Sequence, residues 1–214
     1  MKLVRKTTVW MPTFSGFLLI FLLLGLFGFG FCSQLYPFLA LSRPLPQPEL
    51  VIIEGWLGDV ELAALYERFE PGTRFVTTGG PVKYGQSLLK EKTYAAVTAV
   101  RLRQFGAPEA SVLAAPADDV ACDRTYASAR AVRKILEEKG LFGRPANLYS
   151  TGAHSRRSFF LYRRAFGQEV PLGVVSVDSE EYDLRHWWRS SLAFKHVINE
   201  WISWLYTQCT FWKY

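Results

Sequence analysis

Two regimes of hydrophobic patterning divide the chain. From Phe14 to Phe31 the residues are apolar on every side, and from Leu50 onward short apolar runs alternate with amphipathic stretches. The first run is 18 residues long and lies within residues 7–42, a stretch without a formal charge. That length crosses a hydrocarbon core as a helix, whereas the helix of a globular core keeps a polar face. A secretory signal peptide has a shorter apolar region and a small-x-small cleavage site. Here the run closes Phe29-Gly30-Phe31-Cys32, and the phenylalanine before the cysteine also argues against lipoprotein processing. The pattern therefore predicts a basic tail over 1–13 and a transmembrane anchor over 14–31. Residues 32–49 contain Pro37, Pro44, Pro46 and Pro48 and read as an extended stalk.

Beyond the stalk, Leu50–Ile53 is a β-rich run apolar on both faces, as in a buried parallel strand. A helix is expected over Asp59–Phe69, a strand over Arg74–Thr77 and a long helix over Ser87–Phe105, stopped by Gly106-Ala107-Pro108. A third strand falls at Ser111–Ala114 and a third helix at Asp123–Lys139, with Asp123 or Thr125 as its cap. Asn147–Ser150 is the fourth strand, Ser155–Phe166 a helix and Val170–Val177 the fifth strand, and helical segments near Tyr182–Ser190 and Leu192–Tyr206 follow. Strand and helix in regular alternation imply a mostly parallel sheet covered on both faces, so 50–214 reads as a three-layer, Rossmann-like α/β domain with five strands.

Composition narrows the function classes. The chain of 214 residues is half hydrophobic, which excludes disorder, and its three cysteines and three histidines show no zinc-ligand spacing. The formal charge of +6 is no nucleic-acid signature, because Lys2, Arg5 and Lys6 supply half of it and no dense basic cluster occurs elsewhere. Those same residues orient the anchor by the positive-inside rule, with the tail cytoplasmic and the domain exported across the inner membrane. Cys122 and Cys209 would then meet an oxidising compartment and are candidates for pairing.

In open α/β sheets ligands bind beyond the carboxyl ends of the strands, so the loops there carry the candidate chemistry. Strand one leads into Glu54-Gly55-Trp56, and strand two into Thr78-Gly79-Gly80, where bare backbone can approach a ligand. Strand three leads to Asp118, Asp119, Asp123, Arg124 and Thr125. After strand four comes Ser150-Thr151-Gly152-Ala153-His154-Ser155-Arg156-Arg157, a small-residue turn opening a helix. A helix start with His154 and Arg157 beside it can clamp phosphate or carboxylate, with Thr151 and Gly152 in the same turn. His154 would serve as acid or base, with Glu54 or Glu91 orienting it or activating water. Each feature also has a plain structural explanation: turns for the glycines, caps for Asp123 and Thr125, a solvated face for the arginines. Strand-end carboxylates could hold a magnesium ion brought by a phosphorylated ligand, but no resident metal site is expected. Trp187 and Trp188 read as core or as a pocket rim, and the aromatic C-terminus at 211–214 as a contact with the bilayer interface.

Thr78-Gly79-Gly80, Glu91, Arg124-Thr125 with Ser128, and the turn ending in His154-x-x-Arg157 together resemble the YdcF-like family, over about residues 49–206. That family includes bacterial envelope proteins of the SanA and ElyC type. The Arg-Thr pair is nearer the SanA branch; where many members carry Glu-Asn after that threonine, this chain has Ala127-Ser128, and strand one ends in Glu54-Gly55-Trp56 rather than a glycine-rich loop. The resemblance implies a Rossmann-like fold, an N-terminal anchor and a role in cell-envelope or surface-polysaccharide biogenesis, peptidoglycan included. By analogy with one member it also suggests S-adenosylmethionine as a ligand. The expected partner is an anionic or phosphorylated small molecule or lipid-linked glycan. The alternatives are a non-catalytic ligand-binding module and a scaffold.

Overall fold

The computed structural model describes residues 9–83, 90–168, 170–179 and 183–211. Helix α1 (Phe14–Leu39) leads into strand β1 (Leu50–Glu54), helix α2 (Asp59–Tyr66), strand β2 (Arg74–Gly79), helix α3 (Tyr94–Gln104) and strand β3 (Val112–Pro116). Helix α4 (Arg124–Glu138), strand β4 (Ala146–Thr151), helix α5 (Ser155–Phe166), strand β5 (Leu172–Val177) and helix α6 (Ser191–Thr210) follow. The five strands form one parallel sheet in the order β3-β2-β1-β4-β5. The chain is thus a Rossmann-like α/β domain preceded by one apolar helix long enough to cross a membrane.

Alternation along β1 explains both core layers. Leu50 and Ile52 point to one face and meet Val132, Leu136, Leu148, Tyr162 and Phe166, beneath α4 and α5. Val51 and Ile53 point to the other and meet Leu62, Phe75, Ala99 and Leu102, beneath α2 and α3. All five β1 residues are buried, as expected of a central parallel strand. The strand order reverses between β1 and β4, and the crevice that such a reversal opens at the carboxyl edge is the usual ligand site of this architecture.

Three expectations change in the structure. The helix does not stop at Phe31 but runs unbroken to Leu39 through Pro37, so the extended stretch begins eight residues later than the prolines suggested. Its last turns are held by burial: Leu35, Tyr36 and Leu39 pack on Ala153, Trp187, Ala193 and Val197. The following segment hugs the domain, because Arg43 pairs with Val174 on the outer edge of β5 and Leu45 exchanges two hydrogen bonds with the Asn147 side chain. Next, α3 starts only at Tyr94, where the Thr93 hydroxyl accepts from the Ala96 amide; the expected start at Ser87 lies outside the described residues. Last, Asp123 precedes α4 in a left-handed conformation at φ 55° and its side chain caps nothing, while Thr125 lies inside the helix. Cys32, Cys122 and Cys209 are all unbridged. Trp187 is core rather than rim, and Phe211 is buried against Tyr126; residues 212–214 lie outside the described residues.

Candidate functional site

A crevice of about 730 Å³ opens at the carboxyl edge of the sheet, and Gly80, Arg124, Thr125, Thr151, Gly152, His154 and Arg157 all line it. The local sequence explains the convergence. Gly152–His154 forms one turn of 3₁₀ helix that runs directly into α5, so His154, Arg157 and Ser158, three and four residues apart, share a face. That face looks at the end of β1, where Glu54 is fully buried. The Ser158 hydroxyl lies 3.0 Å from both Glu54 oxygens, the Trp56 indole N–H donates to Oε2 at 3.4 Å, and His154 Nε2 stands 3.8 Å from Oε2. A buried carboxylate needs such partners, since stripping its hydration without replacing the hydrogen bonds is costly. The Trp56 ring meets the His154 ring edge-on at 5.8 Å and closes one side of the imidazole.

The other side of the imidazole faces α6. Glu200 Oε2 lies 3.0 Å from His154 Nδ1, and the same carboxylate takes both arms of the Arg157 fork, Nε at 3.0 Å and Nη2 at 3.1 Å. Arg157 Nη1 donates to the Thr125 hydroxyl at 3.3 Å, and that hydroxyl is 3.5 Å from His154 Nε2. Nδ1 also lies 2.9 Å from Arg157 Nη2. Nδ1 thus sits between an acceptor, the Glu200 carboxylate, and a donor, the Arg157 guanidinium, while Nε2 faces Thr125 and Glu54. Burial by itself would raise the Glu200 carboxyl. The His154 charge, hydrogen bonds from His154 and Arg157, and the Arg157 charge outweigh it and hold the group well below its ordinary 4.5. His196, one turn before Glu200 and also lining the crevice, is pushed below its ordinary 6.5 by burial, with Glu200 opposing and His154 adding to the shift.

The imidazole is thus flanked by a carboxylate at each nitrogen, Glu200 at Nδ1 and Glu54 near Nε2. This arrangement alters the expected role of Arg157, whose fork is filled by Glu200 and which positions His154 and Thr125 instead of standing free as an anion clamp. Arg124, exposed at the first turn of α4, is the lining cation without an ion pair among the described residues. Lys83 at the rim is paired with Asp119 at 3.6 Å.

Three expected site residues fall elsewhere. Glu54 is fully buried beneath the crevice and does not line it. Gly79 borders α3, where an added Cβ would come 2.6 Å from the Tyr94 Cβ, so it serves packing. Glu91 precedes α3 in an irregular segment and is absent from the crevice lining. Among the described residues no group of three or more His, Cys, Asp or Glu side chains is placed to hold a metal ion. Glu200 and His196 were missed. Their signal was a His-x-x-x-Glu pair, since residues four apart share one face of a helix.

No family model matches the chain, and no curated protein matches it in sequence.

Proposed function

We propose that this is a membrane-anchored, extracytoplasmic protein of YdcF-like type, working in cell-envelope or surface-polysaccharide biogenesis, whose crevice binds and acts on a phosphorylated, lipid-linked or nucleotide-like ligand. The observation that carries the reading is the imidazole of His154 held between Glu200 and Glu54 at the floor of a ligand-sized crevice, at the point where the strand order reverses. His154 is the acid–base group, Glu200 orients its ring, and Glu54 supports the charge that develops on it. Arg124 at the α4 N-terminus receives the phosphoryl oxygens. The basic tail, with Lys2, Arg5 and Lys6, stays in the cytoplasm of a bacterial cell, and the greasy run of α1 anchors the domain in the inner membrane.

The experiment is turnover by the full chain reconstituted in bilayers, with a synthetic polyprenyl-diphosphate-linked saccharide and product detection by mass spectrometry. Wild type converts the lipid. His154→Ala loses turnover by about 10²–10⁴-fold, the range for a lost general acid or base, while Arg124→Ala raises KM more than it lowers kcat. Binding without conversion by wild type, with Mg²⁺ present or absent, would leave a ligand-binding module and remove the catalytic role.

A further inference from the structure

We infer that α6 is an interfacial helix, resting its outward apolar face in the headgroup boundary of the same bilayer that α1 crosses. The inference goes beyond the reading of the crevice and rests on α1 spanning a membrane. At about 1.5 Å per residue the 18 residues from Phe14 to Phe31 are about 27 Å long, close to the ~30 Å of a hydrocarbon core. No slack follows them. The helix continues without a break, the Trp187 indole donates to the Cys32 carbonyl at 3.0 Å, and the Phe31 ring meets the Trp201 ring of α6 at 6.0 Å. The Trp201 ring also meets Phe38 at 5.9 Å, so Trp201 stands just beyond the end of the apolar run, in the interfacial zone that tryptophan favours.

The exposed apolar surface points the same way. Outside α1 and residues 9–11, the large hydrophobic residues exposed among the described ones are Val60 and five on α6: Leu192, Phe194, Ile202, Leu205 and Tyr206, of which Tyr206 lines the crevice and the patch is built on Phe194, Ile202 and Leu205. Ile202 is 58% exposed and Leu205 45%, and they flank Trp201 and Trp204, which contact Phe38 of α1. The patch is thus continuous with the membrane helix. Its cations suit a headgroup layer: Arg156 stacks on Phe38 and reaches over Trp204, Arg43 is exposed beside it, and Lys195 is exposed on α6 itself. Burial of such a face about 5–10 Å into the headgroup boundary is the usual mode of an interfacial helix. The opposite side of α6 carries His196, Glu200 and Ser203 into the crevice, so a docked α6 brings the site to the membrane surface.

The test is depth-dependent quenching on the full chain with Cys32, Cys122 and Cys209 replaced by serine. Single cysteines at Ile202, Leu205, Leu23 and Lys134 carry a polarity-sensitive fluorophore, in phosphatidylethanolamine–phosphatidylglycerol bilayers. Leu23 on α1 reports the span, and Lys134, exposed on α4, reports water. The expected result is loss of fluorescence at Leu23 with bromines deep in the acyl chains, loss at Ile202 and Leu205 with bromines near the headgroups, and quenching of Lys134 by aqueous iodide alone. Iodide quenching at Ile202 and Leu205 with Leu23 still quenched by lipid would overturn the docking and leave the anchor standing. Protection of both from bromine and iodide would mean a protein covers the face, which also overturns it. An unquenched Leu23 would remove the anchor and the docking together.

Discussion

Glu200→Gln is the perturbation with the best-defined consequence. The change keeps the shape of the side chain but removes the charge facing the Arg157 fork at 3.0 and 3.1 Å and the His154 Nδ1 at 3.0 Å. It leaves a guanidinium only 17% exposed without its anion and a 9% exposed imidazole with Glu54 alone, 3.8 Å away. Breaking a buried pair by removing one partner costs about 3–5 kcal/mol, and the residual exposure of this one favours the lower end, about 3 kcal/mol. In a domain of this size 1 kcal/mol moves the Tm by about 2–4 °C, so the drop should be about 6–12 °C at pH 7. Acid provides an internal control. The carboxyl of Glu200 is held below its ordinary 4.5 in the folded state, so its contribution is complete above that value and fades as pH falls further. Scanning calorimetry from pH 7 to pH 3 should therefore find the variant losing less stability below pH ~4.5 than wild type. A Tm within 1 °C of wild type at pH 7, or an unchanged acid limb, would refute the claim that Glu200 is the anion holding the site together.

Three further outcomes follow from single contacts. His196 is shifted below 6.5 in the folded state, so the unfolded chain binds its proton first; stability should begin to fall as pH drops below 6.5, and His196→Gln should flatten that part of the profile. Gly152 adopts φ +28°, and a Cβ there would come 2.9 Å from the Tyr36 hydroxyl, so Gly152→Ala should cost about 1–3 kcal/mol. Adding Tyr36→Phe should recover part of the loss in a double-mutant cycle read by Tm, although the Tyr36 hydrogen bond to Asp178 is also removed. Leu39→Ala, at a fully buried position where α1 meets the domain, should cost about 2–5 kcal/mol by denaturant titration; a surface-like value near zero would mean the helix end is a tether after all.

The change of hydrophobic regime along the chain makes most of the fold legible in the sequence alone. Runs such as Leu50–Ile53 are apolar on both faces because β1 is covered by helices on both sides, and that is a property of local sequence. The turn that carries His154 and Arg157 was legible for the same reason: a small-residue segment between a strand and an amphipathic helix. What escaped depended on contacts distant in sequence. Glu200 reaches Arg157 across 43 residues, so nothing near either residue announces the pair. Pro37 signals a break in isolation, yet the helix continues because Leu35, Tyr36 and Leu39 gain a buried surface built from residues more than a hundred positions away. Glu91 was assigned to a helix that begins three residues later, where Thr93 provides the cap.

A crevice that grips a phosphorylated guest does so through His154 and Arg124. The deciding measurement is the Tm of the full chain in bilayers, titrated with a short-chain polyprenyl diphosphate, for wild type and for the variant carrying both His154→Ala and Arg124→Ala. Saturation at about 100 times Kd should stabilise wild type by about 2.7 kcal/mol, a rise of roughly 5–10 °C, and the double variant should show no rise at matched concentrations. A wild-type Tm indifferent to the diphosphate, or an equal rise in the double variant, would contradict it.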